Sequence, residues 1–179
     1  MLSPQSLSES DRRLVAAWAA DCAERVLPLF DAEAPEDDRA RDGIARARAF
    51  SRGELDAAGE IRRRFVAGRA AQSATSPAGK AAARAAAQAA GVAHMGAHAL
   101  GAAAYAAKAA ELARPPRGGE VEIQWQVEHM SPVVRAALRT LPLLGEDSSG
   151  PLGPGILASG VLGSTIRALQ AAVRDADLE

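Results

Sequence analysis

The chain has 179 residues, a formal net charge of −1, 48% hydrophobic residues and only 3% aromatic ones. That length suits one domain with enough apolar material for a core. The near-neutral balance excludes nucleic acid as the main partner, because a phosphate-binding domain carries a basic excess. The single cysteine, Cys22, excludes an intramolecular disulfide and a cysteine-rich zinc cluster. With alanine dominant and large rings scarce, the elements must approach one another closely.

The opening MLSPQSLSESDRR lacks a basic start followed by an apolar run, so no signal peptide is expected. The first helix is expected from near Ser8 or Ser10, whose hydroxyls can cap its amides, to about Asp31, with Pro28 in the last turn. Leu14, Trp18, Cys22, Val26 and Leu29 recur at three- and four-residue steps and predict one apolar stripe. A second helix is expected over 38–51, with Ala40, Ile44 and Ala47 inward and Gly53 marking its end. Arg41, Arg48 and Arg52 line up beside that stripe. A third helix from about Glu54 carries Leu55, Ala58, Ile61, Phe65 and Val66 and stops before Thr75.

Ser76 followed by Pro77 marks the start of a fourth helix. A continuous helix to Ala113 would span roughly 55 Å at 1.5 Å per residue, too long for a compact domain. A break is therefore expected near Gly91 to Gly96, where glycine frees the backbone. The segment EVEIQWQVEHM steps both as a strand and as a helix; helix is favoured because the chain offers no convincing partner strand. Ser131 and Pro132 open another helix to about Leu141. The stretch GEDSSGPLGPG reads as a linker, leading to a last helix from about Ile156 to Asp175 with Leu162, Ile166, Leu169 and Val173 on its apolar face. The longest weakly polar run, 151–166, is too short for a membrane span of about 20 residues, so a soluble cytoplasmic protein is expected.

These elements predict an all-α, compact single-domain bundle of six to seven helices around a close-packed Ala/Gly-rich central helix pair. Residues 1–144 form the helical domain. Residues 145–179 form a Gly/Pro-rich linker and a helix that packs on the same domain or on a second copy, which would make a homodimer.

The candidate chemistry is sparse. His94 and His98 stand one turn apart on a face shared with Gly101 and Tyr105, in a segment of small residues that lets another helix approach. Two histidines at this spacing can bind one metal ion, but no HExxH glutamate accompanies them, and buried hydrogen-bonded histidines are the favoured reading. Cys22 lies on the apolar stripe and reads as a small core thiol. Asp21 is spaced to pair with Arg25, or to meet Arg41 or Arg48 from the second helix. The acids Asp37 and Asp38, and Glu120 and Glu122, read as solvated surface. No phosphate-loop, dinucleotide or nucleophile-elbow motif is present, and no cofactor is implied.

The block DCAERVLPLFDAEAPEDDRARDGIARARAF, followed by AHMGAHALGAAAYAAKAAE and WQVEHMSPVVR, resembles the putative immunity protein family of bacterial polymorphic toxin systems, in the group similar to the fifth immunity-protein class. The resemblance covers about residues 9–141. It implies an all-helical protein that neutralises a cognate toxin by direct, non-catalytic binding. Its recurring positions fall on Asp21, Cys22, Arg39, Arg41, Arg48, His94, His98 and Tyr105.

Two functional expectations follow. In the first, Arg41, Arg48 and Arg52 form the docking surface for the toxin. In the alternative, Asp21, Cys22, His94, His98 and Tyr105 line the pocket of a small helical enzyme or ligand- or metal-binding bundle. With Arg39, the same residues could instead form a buried polar network that fixes the fold.

Overall fold

The computed structural model describes residues 3–63 and 65–175. Among them are eight α-helices and no strand. Helix α1 (Glu9–Asp31) begins where expected, with Ser8 Oγ accepting from the Asp11 amide. It continues through Pro28. Its buried face is Val15, Trp18, Ala19, Cys22, Val26 and Phe30. Leu14, placed on the expected stripe, is 39% exposed, and Val15 takes the inward position.

Helix α2 (Arg39–Ser51) lies against α1 with Ala40, Ile44, Ala47 and Phe50 buried. The expected third helix is broken in two, α3 (Ala57–Arg63) and a 3-10 turn (Ala67–Ser73), with residue 64 outside the described residues. Of the apolar residues expected there, Leu55 packs against the core, whereas Ile61 is 39% and Phe65 62% exposed. Glu60 turns inward instead, where its two carboxylate oxygens accept from Arg46 of α2. One paired carboxylate thus overrides a weak hydrophobic pattern in a segment that Gly59 and Gly68 already weaken.

Helices α4 (Pro77–Gly91) and α5 (His98–Ala113) form the central pair. Ser76 Oγ caps α4 by accepting from the Gly79 amide, and Glu33, in the loop after α1, accepts from the amides and hydroxyls of Thr75 and Ser76. These four donors hold the Glu33 carboxyl at a pKa of about 2. Helix α5 is buried almost all round, from Ala99 to Ala110, because α1, α4, α6 and α8 each cover a side of it. Only alanine and glycine permit a helix to be enclosed so closely without large interhelical gaps.

The break between the pair falls at residues 92–97. The start of α5 leaves free amides, and an N-terminal arm supplies their partners: Gly96 N–H donates to Ser6 O (2.9 Å) and Ala97 N–H to Gln5 O (3.0 Å). The arm lies so close that a Cβ at Gly96 would strike Leu7, and Leu7 itself holds a left-handed φ of 62°. The Gln5 side chain, fully buried, donates to Asp147 O and accepts from Leu152 N–H, so the N-terminal arm ties the loop before α8 to this break.

The ambiguous segment is a helix, α6 (Gly118–Glu128). Helix α7 (Pro132–Arg139) follows, with Ser131 as its cap. A 3-10 turn (Ile156–Ala158) and α8 (Gly160–Asp175) complete the described chain. Helix α8 returns to α5, α6 and α7: Leu162, Ile166, Leu169 and Val173 are buried, and Arg135 and Arg139 donate to the carbonyls of Ala172 and Val173. Residues 176–179, at the end of the expected tail, lie outside the described residues.

Candidate functional site

The break between α4 and α5 decides where the histidines go. His98 opens α5 and His94 lies in the connection before it, with ring centroids 5.0 Å apart and planes tilted by 45°. His98 Nδ1 lies 2.8 Å from Gln88 Oε1. An amide oxygen only accepts, so Nδ1 carries the proton and Nε2 is left as an acceptor. Burial first, and then the neighbouring His94, hold the His98 pKa down to about 4, so the ring is neutral at pH 7.

Two absent side chains make this geometry fit. A Cβ at Gly91 would sit 3.0 Å from the His98 ring, and one at Gly101 would collide with the Gln88 carboxamide. The glycines at the end of α4 and in the first turn of α5 are thus the spaces that the His98–Gln88 pair occupies.

Beside the pair lies a cavity of about 660 Å³ between the Ala67–Ser73 turn, α4 and α5. Arg69, Arg84, Gln88, His94, His98 and Tyr105 line its polar part, and Phe65 and Ala87 its apolar part. Tyr105 is 4% exposed. Among the described residues no carboxylate lines this cavity, and no group of three or more His, Cys, Asp or Glu side chains is placed to hold a metal ion. The histidine pair therefore stands without the third protein ligand that zinc sites use.

The six residues expected as one network or pocket are not brought together. His94, His98 and Tyr105 share the cavity. Cys22 does not line it; it is fully buried in the core, and burial above all raises its thiol well above the ordinary range, opposite to what a nucleophile needs. Asp21 faces outward from α1 and accepts from Arg48 at 2.6 Å. Arg39, at the start of α2, binds both oxygens of Asp37, which also accepts from Ser73; these bonds hold the Asp37 carboxyl far below the usual range. The separation has a simple cause: Asp21, Cys22 and Arg39 sit on α1 and α2, and neither helix lines the cavity.

In the arginine row Arg41 and Arg52 are exposed and Arg48 half-buried, and all three are paired with carboxylates of this chain. Arg41 meets Asp31 at 3.0 Å, Arg48 meets both Asp21 and Glu24 at 2.6 Å, and Arg52 meets Glu54 at 2.7 Å. The row is thus a strip of alternating charge rather than a bare basic patch.

Sequence reasoning missed one polar cluster. Glu122, read as solvated surface, is 1% exposed and accepts from Arg25 Nε and Nη2 at 2.7 and 3.1 Å. Arg25 also lies 4.0 Å over the Trp125 ring, and His129 stacks on the ring at 4.1 Å. Arg25 is drawn to Glu122 and Asp21 to Arg48, so the possible pair along α1 does not form. The available signal was the four-residue step from Gly118 through Glu122 to Gln126, a small and polar face that α6 turns inward.

Most of these residues lie within one matched segment. Residues 5–133 match the family model described as Imm-5 like putative immunity protein. No curated protein and no solved structure matches the chain. No helix among the described residues is long and apolar enough to cross a membrane. The matched segment runs from the N-terminal arm at Gln5, through the central pair and the cavity, to the start of α7, and the chain belongs to the Imm-5 like putative immunity protein family.

Proposed function

We propose that the protein is a cytoplasmic, non-catalytic immunity protein that neutralises a cognate bacterial toxin by binding it directly. The observation that carries this reading is the family match over residues 5–133. The docking surface in this reading is the strip of Arg41, Arg48 and Arg52. Arg41 and Arg52 remain 47% and 56% exposed while held by Asp31 and Glu54. Side chains already fixed by an ion pair lose less freedom on binding than free ones, which favours such a strip as a recognition surface. Its alternating charge suits a partner whose own surface alternates in register, and charge complementarity would chiefly raise the association rate.

The test replaces Arg41, Arg48 and Arg52 together by alanine and measures toxin affinity, with circular dichroism as the folding control. The expected result is a loss of about tenfold or more, concentrated in the association rate and shrinking at high salt. Unchanged affinity in a folded triple variant would remove the strip from the account.

A further inference from the structure

The cavity beside the histidine pair has a chemistry of its own. Arg25, Arg39, Arg41, Arg46, Arg48 and Arg52 each pair with a carboxylate. Arg69 and Arg84, which line the cavity, have no such partner among the described residues. Tyr105 is more than nine-tenths buried at the cavity, and no hydrogen bond joins its hydroxyl to another described residue. The hydroxyl itself is not sealed in the core but reaches the cavity, where it can donate to a bound group. Gln88 adds a further donor: its Oε1 is engaged by His98, leaving its Nε2 hydrogens to face outward from that bond.

The polar lining is therefore rich in donors: two guanidinium groups, a carboxamide N–H and a phenol O–H. It contains no carboxylate to repel a negative charge. Guanidinium and hydroxyl donors around one space recognise the oxygens of a carboxylate or a phosphate. The volume of about 660 Å³ exceeds what the anionic head needs, and Phe65, Ala87 and the open face of Gly68 offer apolar contact to the remainder. His98 Nε2 presents an acceptor in the same space, which suits a hydroxyl or N–H on the body of the ligand.

We propose that this cavity is a binding site for a small organic oxyanion, a carboxylate or phosphate monoester carried on a compact apolar body, with Arg69 and Arg84 taking the anionic head and Tyr105 and Gln88 completing its hydrogen bonds. The site is formed by other elements than the α2 arginine strip and does not depend on toxin binding. It is a ligand site on the same chain.

The test uses the full chain alone, with phenyl phosphate and benzoate as probes, followed by calorimetry and by the ring proton signals of His94 and His98. One probe is expected to bind at a single site and to shift the His98 signals. The double variant Arg69→Ala with Arg84→Ala should weaken binding by about tenfold or more, and Tyr105→Phe by about fivefold, as expected for lost charge-assisted and neutral hydrogen bonds. Arg167→Ala, on the exposed side of α8, should leave it unchanged. Both arginines are exposed and Tyr105→Phe conserves volume, so the variants should fold. Absence of saturable binding up to millimolar concentration, or binding that the double variant leaves intact, would overturn the proposal.

Discussion

His98 shows how one residue's surroundings set its chemistry. Burial and His94 depress its pKa to about 4, so between pH 6.5 and 4 the unfolded chain binds a proton that the folded chain does not. This contribution to stability is full above pH 6.5 and is lost progressively as pH falls to about 4. Integrated over that interval, the effect is at most about 3 kcal/mol. Glu33 adds a second, more acidic step: its depressed carboxyl stabilises the fold above its ordinary value of 4.5, and this is lost as pH falls towards 2. Titration of the His98 ring proton by NMR should give a midpoint near 4, and a midpoint near 6.5 would contradict the burial of the ring beside His94.

Arg25 and Glu122 make an unequal pair, because Arg25 is 33% exposed and Glu122 only 1%. Replacing Arg25 by alanine leaves a buried carboxylate without its cation, at a cost of about 3 kcal/mol or more. Glu122→Gln leaves an arginine that water can still reach, at a cost of about 1–2 kcal/mol. Denaturant unfolding of the two variants should rank them in that order; equal losses would show that the burial of Glu122 does not govern the pair.

Among the elements, the helix starts were the most legible. Ser8, Ser76 and Ser131 each cap the helix that the sequence placed after them, because a serine hydroxyl at that position satisfies an amide that would otherwise lack a partner. The break near Gly91 to Gly96 was legible from the length of the segment and its glycines, and it divides the segment into α4 and α5. The α3 region was not legible. Its apolar residues Ile61 and Phe65 stay exposed while the Arg46–Glu60 pair turns inward, and a pairing between elements leaves no trace in the periodicity of either one. The same reason hid Arg25 and Glu122, which are 97 residues apart. His94, His98 and Tyr105 were recognisable as sharing a face, whereas Arg69 and Arg84 came to the cavity from elements whose relative placement only the fold determines.

Close packing at the central pair also limits substitution. Gly101→Ala would place a methyl group where the Gln88 carboxamide lies, expelling it from His98. The expected cost is about 1–3 kcal/mol, from overpacking and a lost hydrogen bond. It should appear together with altered His98 ring signals. Loss of stability without that spectral change would mean that Gln88 accommodates the methyl group by another route.

At the scale of the whole molecule, Gln5 holds the N-terminal arm, the α4–α5 break and the 145–153 loop together. Gly150 leaves the space for its carboxamide, since a Cβ there would crowd both Gln5 and Met95. Gln5→Ala should leave the Leu152 amide without its partner and destabilise the protein by about 1–3 kcal/mol. Hydrogen exchange at Leu152 should rise well beyond the global change, and retained protection there would show that another group holds the loop. The bundle below this tie keeps the α1–α2 strip and the α4–α5 cavity on one framework, so a partner protein and a small anion could each be tested without disturbing the other site.

In the proposed function this framework serves to bind a toxin. The most direct test is quantitative capture from a lysate of the native host with the purified full chain, followed by titration of the recovered partner against it. The expected result is one protein partner at a fixed stoichiometry, whose toxic activity falls in proportion to the complex formed. Recovery of no stoichiometric partner, or of one whose activity is unchanged at saturation, would contradict it.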